Sequence, residues 1–176
     1  MEKKGEHPYL GIIINYDRDK KLDKFSLDTL QDRYLWQNET SPQEAFARAS
    51  VFVSTFKEET DFDMAQRIYN YVSNLWFMFS TPILSNGGTT RGLPISCFLN
   101  YVPDNREGLS SHYDENIWLA SSGGGIGGYW GAVRSDGIPT SNGSKSTGSI
   151  PFMKVVDSQM LAFNQGVTRR GSYAAY

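Results

Sequence analysis

The segment Ile95-Ser-Cys-Phe-Leu-Asn-Tyr-Val102 is an apolar run rich in strand-forming residues, and the turn cluster Pro103-Asp104-Asn105 ends it. Such a run, bounded by a turn signal, predicts a short buried strand. Because this segment lies near the middle of the chain, the elements on either side of it determine the fold class.

Strands and helices alternate after this segment. The sequence predicts a helix over 111–122 with Ser111 as its N-cap, a glycine-interrupted strand over 126–133, and a helix over 150–163 with Ser149 as its N-cap. This order is typical of a parallel α/β structure. In such folds the chemistry collects at the carboxyl ends of the strands.

The region before this segment is rich in helix-forming residues. Ser41-Pro42-Gln43-Glu44 is a capping box that predicts a helix over 42–56. A second helix is predicted to begin after Asp61 or Asp63, to include Phe79 and to stop before Pro82, and a third, shorter one is predicted over 27–36. Residues 10–16 fit either a strand or an anchored arm. The sequence thus predicts a mainly helical region over residues 1–80 and an α/β region over 81–176.

The composition excludes several classes of function. The 176 residues carry 17 Lys+Arg and 19 Asp+Glu, and this net charge of −2 argues against binding of a nucleic-acid polymer. The single cysteine, Cys97, excludes a disulfide framework, a multi-cysteine zinc site and two-thiol chemistry from this chain alone, and no metal site is predicted. No apolar run approaches the roughly 20 residues of a membrane span, which predicts a cytoplasmic protein without membrane attachment.

Three local motifs have both a functional and a structural interpretation. The glycine run 123–128 follows a helix and opens a strand, the reverse of a dinucleotide-binding turn, so its glycines either admit a bound group or allow tight packing. Gln165-Gly-Val-Thr-Arg-Arg-Gly171 suits phosphate binding or base stacking, but also a solvated basic turn. Cys97, taken alone, is typical of an inert core thiol.

Five motifs occur in one order along the chain: Thr81-Pro-Ile-Leu-Ser-Asn-Gly-Gly, Leu93-Pro-Ile-Ser-Cys-Phe-Leu, Gly123-Gly-Gly-Ile-Gly-Gly, Gly148-Ser-Ile-Pro-Phe and Asn164-Gln-Gly-Val-Thr-Arg-Arg-Gly-Ser-Tyr. In order and spacing they resemble the catalytic large subunit of ribonucleotide reductase, over roughly residues 30–176. The resemblance implies an enzyme that reduces ribonucleotides to deoxyribonucleotides for DNA synthesis by radical chemistry. It implies a helical N-terminal region followed by a ten-stranded α/β barrel, of which 95–102, 126–133 and 172–176 would be the first strands, so that the barrel is incomplete.

The resemblance also implies roles for substrate-contacting residues. Cys97 would be one thiol of the pair that reduces the substrate and ends as a disulfide. Thr81, Ser96 and the backbone of Gly124 and Gly125 would contact the substrate diphosphate. Gln165 and Arg169, in a loop over 164–171, would report the identity of the effector to the substrate base.

The effector implied by the resemblance is a deoxynucleoside triphosphate or ATP at a dimer interface. Asp104 would receive its ribose hydroxyl, and Arg134 would bind its phosphates beside a first loop over 135–148. Ser141 stands where some members of the family have a second phosphate-binding arginine, so either Lys145 supplies that charge or the effector binds more weakly. The helices over 111–122 and 150–163 would form the helical bundle of a homodimer.

Other parts of the family's machinery match nothing in this sequence. No segment before Leu30 resembles the ATP-binding cone, and the radical cysteine and the partner thiol of Cys97 are expected beyond Tyr176. We therefore expect this chain to need a C-terminal portion of the large subunit and a radical-generating small subunit with a dimetal site, or adenosylcobalamin as the alternative. A second hypothesis is a non-catalytic nucleotide-binding dimerisation module. A shortened chain without independent function, prone to aggregate through an unpaired strand edge, is the third.

Overall fold

The computed structural model describes residues 4–163 and 170–176, so Gln165 and Arg169 lie outside the described residues. The chain divides into two compact units, Met1–Pro94 and Ile95–Tyr176. The first unit contains residues 81–94, which the sequence analysis grouped with the α/β region, and that grouping stays a prediction.

The first unit is mainly helical. A hairpin precedes its helices, which decides between the strand and the arm considered for residues 10–16. The elements are β1 (Glu6–Tyr9), β2 (Ile12–Asn15), a 3-10 helix (Tyr16–Lys21), α1 (Lys24–Arg33), α2 (Pro42–Val53), β3 (Thr55–Phe56), β4 (Glu59–Thr60), α3 (Phe62–Ser73) and α4 (Thr81–Asn86). β1 pairs with β2, and β3 with β4, in antiparallel register.

Helix α2 forms the centre of the first unit. It begins where the capping box predicts, with Ser41 Oγ accepting from the Gln43 amide and Glu44 Oε2 accepting from the Ser41 amide. Phe46 on α2 and Tyr69 on α3 are fully buried in one apolar core. The core therefore depends on the contact between α2 and α3.

The predicted ends of these helices are wrong. α2 ends at Val53 rather than at 56, because residues 55–60 turn back as the hairpin β3–β4. α3 ends at Ser73 rather than at 79, because Leu75 has a φ of +63° and leaves the helical conformation. α1 covers 24–33 rather than 27–36, since Asp23 is its N-cap.

A buried arginine on α2, Arg48, connects α2 to the segment before it and to α4. Arg48 Nε donates to Glu39 Oε1 at 2.7 Å, and both side chains are almost fully buried. The remaining guanidinium donors bind the carbonyl oxygens of Leu84, Gly87 and Tyr34. Arg48 thus fixes the position of α4, whose first residue is Thr81.

The second unit is built on a parallel sheet. Its elements are β5 (Cys97–Tyr101), α5 (Arg106–Ser121), β6 (Gly125–Tyr129), β7 (Asp136–Pro139), β8 (Lys145–Thr147), α6 (Ile150–Ala162) and β9 (Ser172–Ala175). β6 lies between β5 and β9, parallel to both. The predicted α/β class is confirmed, and the sheet of the described residues is not closed into a barrel.

Three boundaries in this unit differ from the prediction. α5 starts at Arg106 with Asn105 as its N-cap, five residues before Ser111, because Asn105 Oδ1 accepts from the Gly108 amide. β6 ends at Tyr129 rather than at 133. Ser149 precedes α6 without a side-chain cap, and α6 ends at Ala162.

The sheet is covered on one face. Ile126 and Trp130 pack with Ala120 of α5 and with Val156 and Met160 of α6 in a second apolar core. On the opposite face, which we call the open face, Leu99 is 80% exposed and Tyr101 60%. The prediction of a buried strand over 95–102 is therefore wrong for alternate residues, since both helices lie on the same side. No helix in the described ranges is both long and apolar enough to span a membrane.

Candidate functional site

A cleft of about 570 Å³ lies where the first turn of α5 meets the segment after β6 and the hairpin β7–β8. Its charged residues are Asp104, Arg106, Arg134 and Lys145. The remaining lining consists of Asn105, Leu109, Val133, Thr140, Ser141, Asn142, Ser144, Ser146, Thr147 and Phe152. All four residues predicted for the effector, Asp104, Arg134, Ser141 and Lys145, therefore line one cavity.

Arg134 is held from two sides at the edge of this cleft. Its Nε donates to Asp104 Oδ2 at 2.6 Å, and its Nη1 donates to the carbonyl oxygen of Pro139 at 3.1 Å. Both members of the ion pair are about one-third exposed. The pair thus keeps a carboxylate and a guanidinium in fixed positions within reach of solvent.

The hairpin β7–β8 forms the first loop predicted by the resemblance. The Thr140 amide donates to the Ser144 carbonyl at 2.8 Å, and the Gly143 amide to the Thr140 carbonyl at 3.0 Å. Gly143 has a φ of +82°, which favours glycine at this turn. The turn places Ser141 and Lys145 on the same wall of the cleft.

Asn105 and Arg106 are among the cleft residues that were not predicted from the sequence. The N-cap hydrogen bond of Asn105 starts α5 at Arg106, so the first turn of the helix reaches the cleft. An N-cap asparagine after a turn cluster is a recognisable signal. The sequence also offers Ser111 as a capping residue, and Ser111 lies just ahead of the more apolar part of the helix. The prediction therefore placed the start of the helix at Ser111 and not at Arg106.

Four of the residues predicted for the substrate, Ser96, Cys97, Gly124 and Gly125, lie at the start of β5 and β6. Cys97 is exposed, and its Sγ is 3.9 Å from the Oγ of the buried Ser96. In the parallel register Cys97 lies beside Gly125, and Gly125 lies beside Ser172. The interpretation of Cys97 as a core thiol is therefore wrong, because its side chain is exposed on the open face.

The two glycines of the predicted diphosphate contact have different surroundings. A Cβ on Gly124 would lie 2.8 Å from both the Leu119 carbonyl oxygen and the Phe98 ring, so packing alone requires glycine there. A Cβ on Gly125 would meet nothing closer than Ser172 Oγ at 3.4 Å. Tight packing therefore explains why residue 124 is a glycine, but it does not explain the glycine at 125.

The other predicted substrate residues belong to neither β5 nor β6. Thr81 begins α4 in the first unit, where its Oγ1 lies 3.3 Å from the hydroxyl of Tyr34. Gln165 and Arg169 fall outside the described residues. Within the described ranges, no group of three or more His, Cys, Asp or Glu side chains is placed to hold a metal ion.

A buried polar network lies on the helix-covered side of the sheet, and no sequence motif predicted it. Trp130 Nε1 donates to the Tyr173 hydroxyl at 2.7 Å, and that hydroxyl lies 3.0 Å from His112 Nε2. Asn116 Oδ1 accepts from Asn100, which leaves Asn116 Nδ2 to donate to the same His112 nitrogen. With this amide orientation His112 Nε2 accepts from Asn116, and the proton of the neutral ring falls on Nδ1, which has no hydrogen-bond partner among the described residues. Burial lowers the pKa of His112 and raises that of Tyr173.

Comparison with known families separates the chain into the same two parts. Residues 20–92 match the family described as "Ribonucleotide reductase, all-alpha domain", and residues 95–176 match "Ribonucleotide reductase, barrel domain". The chain belongs to the ribonucleotide reductase large-subunit family. The resemblance inferred from the five motifs is confirmed, as is the assignment of the parallel sheet to the start of the barrel.

Individual relatives agree with this membership. The ribonucleoside-diphosphate reductase large subunit of Invertebrate iridescent virus 6 is 43% identical over 94% of this chain and 16% of that protein. The alpha subunit of the Helicobacter pylori enzyme is 32% identical over 100% of this chain and 23% of that protein. Among solved structures, the Actinobacillus ureae class Id ribonucleotide reductase alpha subunit superposes with a TM-score of 0.71 at 30% identity, covering 88% of this chain and 28% of that one. The chain thus spans about a fifth of the length of these curated relatives.

Proposed function

We propose that this chain is the N-terminal portion of the catalytic large subunit of a ribonucleotide reductase, which reduces ribonucleotides to deoxyribonucleotides. The observation that carries the proposal is the convergence of Asp104, Arg134, Ser141 and Lys145 on one cleft. The resemblance assigns all four residues to an effector on sequence motifs alone. They come from three separate segments, so their proximity is a property of the fold.

The effector of the proposed site is a deoxynucleoside triphosphate or ATP. The Asp104 carboxylate accepts a hydrogen bond from the ribose hydroxyl, while Arg134 and Lys145 bind phosphate oxygens. Hydroxyl groups of Ser141 and its neighbours on the hairpin add uncharged donors. Leu109, Val133 and Phe152 supply an apolar wall for the less polar part of the ligand. The volume of the cleft is within the range of small-molecule sites.

The proposed substrate site lies on the open face. Replacing the 2′-hydroxyl of a ribonucleotide by hydrogen requires two electrons and releases water. Two thiols supply the electrons and become a disulfide, so Cys97 needs a second thiol. We place that thiol on a C-terminal portion of the large subunit. Ser96, Thr81 and the backbone of Gly124 and Gly125 bind the substrate diphosphate, and Gln165 and Arg169 contact the base. The exposure of Cys97 supports this assignment, as does the looser packing at Gly125, where a Cβ would make only ordinary contact with Ser172 Oγ at 3.4 Å.

The radical chemistry requires a further partner. We propose a separate dimetal small subunit as its source, with adenosylcobalamin as the alternative. A homodimer through residues 111–122 and 150–163 is supported by exposed apolar side chains on both helices, Trp118 at 70% and Leu161 at 79%. A cytoplasmic location stays a prediction.

A non-catalytic nucleotide-binding dimerisation module is the second candidate. The effector cleft and the two exposed helix faces lie together in the second unit, and this favours a module that binds nucleotide without performing chemistry. The two candidates differ in the role of Cys97, which only the catalytic protein requires.

One reconstitution experiment separates them. The chain is co-expressed with a matching C-terminal portion and the small subunit, and complex formation is followed by size-exclusion chromatography with light scattering. A stoichiometric complex that reduces nucleotides, and loses this activity in Cys97→Ser, is the expected result. A stable complex with no nucleotide reduction would overturn the catalytic proposal, and effector-dependent dimerisation without catalysis would favour the module.

A further inference from the structure

Arg106 is a cleft residue to which neither the resemblance nor the sequence motifs assign a role. It is the first residue of α5 and is exposed on the cleft wall. Among the described residues, its guanidinium has no hydrogen-bond, ion-pair or ring partner. All of its donors are therefore available to a ligand.

Without a ligand, the cleft wall carries more positive than negative charges. Arg134 is paired with Asp104, the one carboxylate among the described residues that line the cleft. Arg106 and Lys145 then leave two positive charges without a carboxylate partner. Because the whole chain has a net charge of −2, this cleft is a local cationic site on an acidic protein.

The donors of Arg134 are largely committed. Its Nε and Nη1 already bind Asp104 and the Pro139 carbonyl, so only part of the guanidinium can reach a phosphate. Arg106 can instead offer two parallel N–H donors to one phosphate group. Its position at the start of a sixteen-residue helix adds the favourable end of the helix dipole.

We propose that Arg106 is a phosphate-binding residue of the cleft that, together with Lys145, makes the effector site select triphosphates over monophosphates. This inference rests on the proposed function of the cleft as a nucleotide site. Arg106 supplies from α5 the guanidinium that the hairpin lacks at Ser141. The binding of phosphate is thereby divided between the helix and the hairpin.

The test measures dissociation constants of the full chain by isothermal titration calorimetry for dATP, dADP, dAMP and the corresponding thymidine nucleotides. Arg106→Ala should weaken binding of the triphosphates about tenfold, the size of a charge-assisted contact, and binding of the monophosphates less than twofold. Arg106→Lys should recover part of the loss, because it keeps the charge but not the paired donors. Arg67→Ala, which removes an exposed arginine from α3 in the other unit, is the matched control and should change no dissociation constant by more than about twofold.

The outcomes distinguish failure of the proposed role of Arg106 from failure of the proposed nucleotide site. If the unmodified chain binds triphosphates and Arg106→Ala binds them equally well, or weakens mono- and triphosphates alike, the role of Arg106 is overturned while the nucleotide site stands. If the unmodified chain binds no nucleotide, the proposed effector site fails, and the inference fails with it. Arg106→Gln removes the charge but keeps a long side chain that favours the helix, so α5 should still form. A binding defect shared by Arg106→Ala and Arg106→Gln is therefore caused by loss of the charge.

Discussion

Arg134 Nε and Asp104 Oδ2 lie 2.6 Å apart although thirty residues separate them in the chain. The pair joins the turn after β5 to the start of the first loop. We expect Arg134→Ala and Asp104→Asn each to weaken deoxynucleoside triphosphate binding about tenfold or more, since each removes a ligand contact and releases its partner. Calorimetric titration of the two variants checks this.

The same two variants should change stability little. The pair is about one-third exposed, so its loss should cost less than about 1 kcal/mol of unfolding free energy in urea denaturation. A large loss of stability with unchanged nucleotide affinity would mean that the pair is structural. Arg33→Ala, which breaks an exposed pair with Asp32, provides the reference for an ion pair outside the cleft.

The Arg48–Glu39 pair should behave differently because it is buried. Arg48→Ala would leave the Glu39 carboxylate buried without its partner and free three carbonyl oxygens. We expect a loss of about 3–5 kcal/mol of unfolding free energy, measured by urea denaturation. Arg48→Met, which keeps the apolar stem, should also be destabilising. Stability within about 1 kcal/mol of the unmodified chain would contradict the role of Arg48 in holding α4.

Two glycines of β6 should differ in how far alanine lowers the melting temperature. A Cβ on Gly128 would overlap the Tyr173 hydroxyl and lie 2.6 Å from its Cζ, so Gly128→Ala should lower the melting temperature. Gly125→Ala meets no close neighbour and should leave the melting temperature nearly unchanged, while weakening substrate binding in the reconstituted enzyme. Equal thermal shifts for the two variants would argue against this difference in packing.

His112 should make stability depend on pH. Burial lowers its pKa in the folded chain below the value of 6.5 for a free histidine, so the unfolded chain binds more protons between these two values. The contribution of His112 to the unfolding free energy should therefore be fully present above pH 6.5. It should be lost as the pH falls below that value, by at most about 1.4 kcal/mol per pH unit. Urea unfolding at several pH values should show a shallower dependence for His112→Gln than for the exposed control His7→Gln. An equal slope in both would exclude His112 as the source.

Cys97 should react with a thiol reagent in the folded chain. The thiol is exposed and is the chain's one cysteine, so one equivalent should be labelled without denaturant. Cys97→Ser should abolish labelling and change the unfolding free energy by less than about 0.5 kcal/mol, as for other surface substitutions. Labelling that appears only in denaturant would show that the open face is covered in solution.

Local sequence signals located the starts of α2 and α3 better than their ends. The Ser41 capping box specifies the start of α2 through two hydrogen bonds within four residues, and this information is contained in the sequence. The end of α2 depends on a tight turn in which Lys57 and Glu58 both have positive φ. Neither residue type signals such a turn, so the hairpin after α2 could not be predicted from local pattern.

The site residues that belong to sequence motifs could be predicted. Those whose position depends on packing could not. The resemblance identified Asp104, Arg134, Ser141 and Lys145, and the fold brings them together. Arg106 was missed because its role depends on where α5 begins. The exposure of Cys97 was missed because an apolar strand looks alike whether one or both of its faces are covered.

The parallel order of the sheet has a kinetic consequence. Cys97 pairs with Gly125, 28 residues away, and Gly125 pairs with Ser172, 47 residues away. By comparison, the hairpin β1–β2 closes within ten residues. Because distant pairings must overcome a larger loop-closure entropy, we expect β9 to be the last strand to join during folding. We therefore expect the neighbouring strand residues Cys97, Gly125 and Ser172 to come together last during folding of the second unit.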